Sequence, residues 1–361
     1  MVTITKMGFF VHNTVCNIMA GFLALALAVG AIFTDSKPAR AAAAAEVPHA
    51  VVLMYHRFGE SDLPSTNIQL NQLEAHIAEL NNGAFNVWPL DRIINSVKAK
   101  EPLPDRTIAI TIDDAYASVY HQAWPRFKAA NLPFTIFVST DQVGRSANYL
   151  TWDQIREMQA AGVLIGHHGA AHDHMANATP TAISQDLFRA NKAFQDELGE
   201  VPKIFAYPYG EASLVLRKQV KQAGFIAALG QHSGVVNTSD DILYLPRFAL
   251  NEAYGNMDRF QLAANALPIP TKDVSPAEML VTDNPPAYGF TLASPVAGIA
   301  RLNCFASHIP TPVRTEHLGP NRIEVRFEKP FPPGRSRINC TMRGKDGRWR
   351  WLGRLFYLPK K

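Results

Sequence analysis

Two carboxylates and a group of histidines are the side chains of this chain best suited to chemistry. Asp113 and Asp114 directly follow an apolar run, and four histidines occur between residues 167 and 174. His168 and His172 are four residues apart, so they can face one point across a helical turn. One aspartate and these two histidines could give Zn²⁺ three ligands, and the other aspartate could deprotonate a water molecule. The pattern favours metal-assisted hydrolysis, although the aspartates could also cap a helix and the histidines could be solvated.

Alternating apolar and helical segments predict the scaffold that positions these groups. Because the strand candidates are apolar almost throughout, they are typical of a parallel sheet covered on both faces. Such α/β folds carry functional groups at the carboxyl ends of their strands. The predicted strands are 51–55, 107–112, 134–139, 163–166, 203–206, 225–229 and 243–248, and the predicted helices are 70–81, 90–98, 118–130, 152–161, 181–198 and 213–223.

Three of these strand ends resemble motifs of the polysaccharide deacetylases (NodB homology domain, carbohydrate esterase family 4). The segments are Thr-Ile-Asp-Asp-Ala at 111–115, Gly-His-His-Gly-Ala-Ala-His at 166–172 and Phe-Ala-Tyr-Pro-Tyr-Gly at 205–210, and the resemblance extends over about residues 47–260. It implies a distorted (β/α)7-type barrel. It also implies that Asp113 is the general base, that Asp114, His168 and His172 hold a divalent metal ion, expected to be Zn²⁺, and that Tyr209 helps to form the oxyanion pocket.

The first predicted strand resembles a particular branch of that family. Val-Val-Leu-Met-Tyr-His at 51–56 is similar to the opening of the permuted branch that includes the periplasmic poly-N-acetylglucosamine deacetylases. In that branch the first strand supplies the histidine that protonates the leaving amine, which implies that His56 is the general acid. The alternative is a histidine that only caps a buried strand.

The chain departs from the family pattern at three positions. Gly169 stands where Ser or Thr is usual, so a hydrogen bond that supports the metal site could be missing, and Ala115 stands where Gly is usual. Ala206 replaces the arginine that commonly orients the base. We hypothesise that Arg247, at the end of the seventh predicted strand, supplies that charge to Asp113 instead.

The first 45 residues have the order of a secretory signal peptide. Lys6 precedes the apolar run 18–33, and an alanine-rich segment at 39–45 offers small residues for cleavage. The alternative is an uncleaved membrane anchor, but in both cases the body is exported, to the periplasm or the medium. Cys304 and Cys340 then form an even pair, which predicts one disulfide in the C-terminal region.

A basic all-β domain is predicted after the barrel. We assign residues 46–263 to the catalytic domain, 264–285 to a Pro- and Asp-rich linker and 286–361 to the small C-terminal domain. From residue 301 onward the chain has 14 Lys and Arg against 4 Asp and Glu, although the net charge of all 361 residues is only +4. Arg348 and Arg350 would share one strand face and Trp349 and Trp351 the other. The arginine face either docks on an anionic cell-envelope surface or is merely solvated, with the tryptophans in the domain's core.

The sequence therefore predicts an exported, metal-dependent enzyme that removes N-acetyl groups from an N-acetylated polysaccharide. An O-acetyl esterase with the same site is one alternative, and a carbohydrate-binding or assembly protein with a weakly active or inactive barrel is another. A charged fraction of 18% and 47% hydrophobic residues exclude a disordered chain. The mean hydropathy of −0.06 and a single long apolar run exclude a polytopic membrane protein, and nucleic acid is a poor partner for an exported protein.

Overall fold

A curled parallel sheet forms the first two thirds of the computed structural model, which describes residues 47–360. The predicted signal peptide, residues 1–45, lies outside the described residues. The strands of this region are β1 (His49–Tyr55), β2 (Arg57–Phe58), β3 (Asn67–Ile68), β4 (Asn86–Val87), β5 (Thr107–Asp113), β6 (Phe134–Val138), β7 (Leu164–His167), β8 (Ile204–Ala206), β9 (Ala227–Leu229), β10 (Val236–Asn237) and β11 (Phe248–Ala249). Its helices are α1 (Leu70–Asn82), α2 (Leu90–Ala99), α3 (Trp124–Ala129), α4 (Trp152–Ala160), α5 (Pro180–Leu198), α6 (Leu214–Gln222) and α7 (Met257–Ala264).

Seven of these strands are parallel neighbours in the order β11-β1-β5-β6-β7-β8-β9. A single bridge between Leu229 and Leu245 links β9 to the segment just before β11. Every residue of β1 and β5 is buried, as expected for strands covered on both faces. The predicted barrel of seven parallel strands is confirmed, and the seventh strand is shorter than predicted because only Phe248 and Ala249 pair continuously with β1.

The helices end within a residue or two of the predicted bounds, with two exceptions. The third begins as the π-helical turn Val119–Ala123 before α3, and the sequence analysis missed α7. Capping residues explain why the helix starts were predicted correctly. At the start of α4, for example, the side chain of Thr151 accepts a hydrogen bond from the amide of Gln154. Across residues 47–360, we find no helix with the length and apolar character needed to cross a membrane.

Two four-stranded sheets pack face to face after the barrel. Their strands are β12 (Leu267–Pro268), β13 (Thr271–Ser275), β14 (Tyr288–Leu292), β15 (Asn303–Ala306), β16 (Arg314–Leu318), β17 (Arg322–Arg326), β18 (Gly334–Arg343) and β19 (Trp349–Leu358). The orders are β12-β19-β18-β15 and β13-β14-β17-β16, with a shared apolar core. The predicted all-β domain is confirmed, and so is the disulfide between Cys304 and Cys340, which joins β15 to β18.

The segment 264–285 is not a linker, which corrects the prediction from its composition. β12 pairs with β19 and β13 pairs with β14, so the segment supplies a strand to each sheet. Met279 is fully buried in an apolar cluster of the barrel region. Prolines and small residues suggested a linker, but Pro268 lies within β12, an edge strand, where proline is tolerated, and the other prolines of the segment flank the short strands.

The last strand packs on the barrel and does not present a free basic face. Trp351 lies against Phe248 with 5.4 Å between ring centroids, so it packs on the barrel instead of filling the core of the β domain. Arg348 donates to the carboxylate of Asp105 (2.8 Å) and to the carbonyl of Asn265 (2.7 Å). The alternation of Arg and Trp correctly suggested a strand, but the sequence could not show that the barrel covers it.

Trp351→Ala should therefore destabilise the barrel and the β domain together. Loss of a half-buried indole between the two regions should lower the free energy of unfolding by roughly 2 kcal/mol, measured by urea denaturation followed by circular dichroism. Phe188→Ala, which removes a side chain that is 72% exposed, is the matched control and should change stability by less than about 0.5 kcal/mol. An early transition confined to the β domain, with an unchanged barrel transition, would contradict the packing described here.

Candidate metal centre and active site

The carboxyl ends of neighbouring strands bring the predicted site residues together. Asp113 is the last residue of β5, His56 directly follows β1, and His168 directly follows β7. Because these strands are parallel members of one sheet, with only β6 between β5 and β7, their carboxyl ends lie at the same edge of the sheet. Tyr209 joins them from the turn that follows β8, and its ring centroid lies 4.5 Å from that of His172.

Asp114, His168 and His172 form a compact cluster with the composition of a metal site. The Oδ1 atom of Asp114 is 3.2 Å from Nε2 of His168 and 3.0 Å from Nε2 of His172. One ligand atom from each residue fits within a span of 4.8 Å. Asp114 and His172 both have positive φ angles, 77° and 60°, which are uncommon for residues other than glycine. The backbone is thus held in an unfavourable conformation that lets the three side chains converge.

Unpartnered buried atoms show that these residues fit a cation. Oδ1 of Asp114 and Nε2 of His168 are both buried, and neither makes a hydrogen bond within the described residues. Nδ1 of His168 bonds to the carbonyl of Ala206 at 2.7 Å, which leaves Nε2 directed at the cluster. Two imidazole nitrogens and one carboxylate oxygen are a donor set suited to Zn²⁺.

The carboxylate of the cluster is in the charged form that a metal ligand requires. Burial raises the pKa of the Asp114 carboxyl, but its contacts with His168 and His172 outweigh burial and hold the pKa well below its ordinary value. For His172, burial lowers the pKa, while the neighbouring carboxylates of Asp114 and Asp113 raise it and prevail. The carboxylate is therefore ionised at neutral pH.

Asp186 of α5 supports the loop that carries the two histidines. Its carboxylate accepts hydrogen bonds from the amides of Ala170 (2.8 Å) and Ala171 (3.0 Å), and it is ion-paired with Arg189 at 3.0 Å. Gly169 has φ of +74°, and a Cβ atom there would lie 2.9 Å from Oδ1 of Asp186. The carboxylate therefore holds this loop without a side chain at position 169. Sequence analysis missed Asp186, because a single aspartate within an amphipathic helix carries no signal of this role.

Arg247 holds Asp113 with both arms of its guanidinium group. Nη1 donates to Oδ1 at 2.7 Å and Nη2 donates to Oδ2 at 2.8 Å, and both side chains are fully buried. Nε of Arg247 also donates to the carbonyl of Gly230, and Nη1 donates to the hydroxyl of Thr111. Burial raises the pKa of Asp113, but Arg247 outweighs it and lowers the pKa below its ordinary value. The geometry agrees with the hypothesis that Arg247 takes the place of the arginine missing at Ala206.

His56 and Tyr209 complete the border of the site. Nε2 of His56 is 3.9 Å from Oδ2 of Asp113, and its side chain is 14% exposed. Burial lowers the pKa of His56, although the nearby carboxylates of Asp114 and Asp113 act in the opposite direction. Tyr209 has a φ of 60° and stacks on His174 with a centroid distance of 4.1 Å. All seven predicted site residues therefore lie around one point, and their individual roles stay predictions.

Comparison with known proteins supports the family resemblance. Residues 100–228 match the family model described as polysaccharide deacetylase, which confirms the resemblance seen in the sequence. The poly-beta-1,6-N-acetyl-D-glucosamine N-deacetylase of Staphylococcus aureus is 22% identical over 212 residues, which cover 55% of this chain and 73% of that protein. The Bacillus subtilis protein YxkH is 25% identical over 197 residues, which cover 54% of this chain and 69% of YxkH.

Solved structures share the fold. IcaB from Ammonifex degensii aligns with a TM-score of 0.54 and 24% identity, covering 61% of this chain and 98% of IcaB. The Streptococcus pyogenes deacetylase PplD, solved in complex with acetate, aligns with a TM-score of 0.56 and 16% identity, covering 60% of this chain and 99% of PplD. Both alignments support the distorted barrel.

Asp186→Ala should weaken zinc binding although Asp186 contributes no atom to the cluster. Removal of a group that orients metal ligands typically costs 10–100-fold in affinity, so we expect a loss of that size in zinc titrations with a competing chelator. Asp196→Ala, on the same helix but paired with Lys192 at the surface, is the matched control and should bind zinc like the wild type. Equal zinc affinity of Asp186→Ala and the wild type would show that the loop is held by other contacts.

Proposed function

We propose that this protein is an exported, metal-dependent hydrolase that removes N-acetyl groups from an N-acetylated polysaccharide. The observation that carries the proposal is the combination of a buried Asp-His-His cluster with a separate carboxylate held by an arginine. Asp114, His168 and His172 would hold the ion, and Asp113, which is not among these ligands, remains available for proton transfer. A divalent ion such as Zn²⁺ would supply Lewis acidity toward the acetamide carbonyl.

Asp113 is proposed as the general base because it lies in the site, buried and ionised. Its carboxylate would accept the proton of the attacking water, while Arg247 keeps both oxygens in a fixed orientation. His56, whose Nε2 atom is 3.9 Å from Oδ2 of Asp113, would donate the proton that the departing amine requires. Tyr209 would border the pocket for the negative charge that develops on the carbonyl oxygen.

Support for the acetamide as the scissile group comes from the relatives. The Staphylococcus aureus relative is described as an N-deacetylase of poly-beta-1,6-N-acetyl-D-glucosamine, and we extend that reaction class to this chain. The same groups could also cleave an acetate ester, so the assay must measure free amines as well as acetate. Export is proposed from the signal-like first 45 residues, and the disulfide between Cys304 and Cys340 is consistent with an oxidising compartment.

Asp113→Asn and Asp114→Asn should fail for different reasons. Asp113→Asn should bind zinc like the wild type yet lose about 10²–10⁴-fold in turnover, because a general base has been removed. Asp114→Asn should lose zinc affinity itself, because a ligand has been neutralised. Metal content is measured by mass spectrometry and turnover by acetate release from N-acetylglucosamine oligomers, before and after chelation. If Asp113→Asn lost zinc as Asp114→Asn does, the proposed separation of roles would be wrong.

Arg247→Lys should lower turnover while leaving metal content unchanged. Lysine keeps the charge but cannot make two parallel hydrogen bonds to Asp113, so the base would be misplaced. A misplacement of this kind can cost on the order of 10²-fold, measured as kcat for acetate release. Arg126→Lys, a change in an exposed ion pair with Glu74, is the control and should leave kcat unchanged. A wild-type kcat in Arg247→Lys would remove Arg247 from its proposed role as a positioning residue.

A further inference from the structure

A cleft of about 610 Å³ lies beside Tyr209, between the barrel and the strands β18 and β19. We propose that this cleft is a subsite for a carboxylate-bearing sugar next to the sugar that loses its acetyl group. Arg337 and Lys360 would bind the carboxylate. This inference deepens and rests on the proposed function, since it makes an anionic N-acetylated polysaccharide the substrate class of the same site.

The cleft is joined directly to the active site. Nη1 of Arg335, on β18, donates to the main-chain carbonyl of Tyr209 at 3.1 Å. The ring of His174 stacks on Tyr209 and, on its other side, lies 5.7 Å from the ring of Tyr357 with an angle of only 3° between the planes. A continuous row of rings therefore leads from the metal cluster into the cleft. A polymer chain that places one sugar over Tyr209 would place a neighbouring sugar in the cleft.

Positive charge dominates the cleft walls. Three cations line it, Arg335, Arg337 and Lys360, against the single carboxylate of Glu211. The ion pairs that reach this cleft within residues 47–360 are those of Glu211, with His174 at 2.7 Å and with Arg335 at 3.8 Å. Neither of these pairs neutralises Arg337 or Lys360. An anion in the cleft would therefore meet two cations that have no ion-pair partner among the described residues.

Arg337 is the residue best placed to recognise the anion. It lies two positions after Arg335 on β18, so both side chains are on the same face of the strand. Arg337 is half-buried, and burial, together with the charge of Arg335, lowers the pKa of its guanidinium below the ordinary value. A half-buried guanidinium beside a like charge is stabilised by a carboxylate, with which it can form two parallel hydrogen bonds.

Glu211 provides a second, independent sign of a ligand. Glu211 belongs to the lining of the cleft, its side chain is 1% exposed, and its buried Oε1 atom has no hydrogen-bond partner in the described residues. A buried carboxylate oxygen without a donor is costly, and a sugar hydroxyl would supply that donor. Glu211 and the ring of Tyr357 would thus bind the sugar itself, while Arg337 and Lys360 would bind its charged substituent.

The charge balance argues against the amine product as the occupant. A deacetylated amino sugar is a cation at neutral pH, and it would be placed next to three like charges with one carboxylate, which is already paired. Such an arrangement repels the cation and attracts a carboxylate. Two hexamers of N-acetylglucosamine test whether the cleft prefers a carboxylate. One is neutral, and in the other, C6 hydroxyl groups have been oxidised to carboxylates.

The test is calorimetric binding of both hexamers to the full chain. In the wild type we expect the oxidised hexamer to bind about tenfold more tightly, with the difference shrinking at high salt. Arg337→Gln should reduce the preference to twofold or less, and Arg337→Lys should retain part of it. Arg343→Gln is the matched control, because Arg343 is an exposed arginine at the other end of the same strand and should not affect the preference.

Three results would overturn the subsite: no preference in the wild type, an unchanged preference in Arg337→Gln, or an equal loss in Arg343→Gln. Acetate release is recorded separately with zinc-loaded protein. Selective binding of the oxidised hexamer without acetate release from either hexamer would contradict the deacetylase proposal while the binding subsite stood. Acetate release with no charge preference would contradict the subsite alone.

Discussion

The buried ion pair between Arg247 and Asp113 is the interaction on which the rest of the site depends. Both side chains are fully buried, so either charge alone would be strongly destabilising in the barrel interior. The pair fixes the orientation of one carboxylate and keeps it ionised, while the adjacent Asp114 points to the histidines. Two neighbouring aspartates can therefore have different roles, one toward a proton and the other toward a metal ion.

The sequence predicted the barrel well because its signals are local. Apolar strands, capped helices and the polar residues that follow Ile112 and Gly166 can all be read from a short stretch of chain. The contacts that hold the site residues in place join parts of the chain that are far apart in the sequence. Ala206 stands where the family commonly has the arginine that orients the base. Arg247 is distant from Asp113 in the sequence, and only the closing of the barrel brings the two together. Likewise, Asp186 reaches the histidine loop across 15 or 16 residues of chain, which no spacing rule predicts.

Contacts between distant parts of the chain also explain the wrong predictions for the C-terminal half. Short alternating runs and an even cysteine pair correctly predicted a β domain with a disulfide, but they could not show which surfaces the barrel covers. Arg348 and Trp351, expected on two faces of a free strand, pack on the barrel, and the supposed linker contributes strands. The β domain is therefore part of the architecture around the site, since Arg335 reaches the main chain of Tyr209.

The central claim is that this site hydrolyses an acetamide. The most direct measurement is the simultaneous count of acetate and of new primary amines released when the zinc-loaded full chain acts on an N-acetylglucosamine oligomer. We expect one new amine for each acetate, with both signals abolished by chelation and restored by zinc. Acetate release from an ester-bearing oligomer but not from the acetamide would contradict this claim. So would the absence of any acetate release by fully zinc-loaded protein.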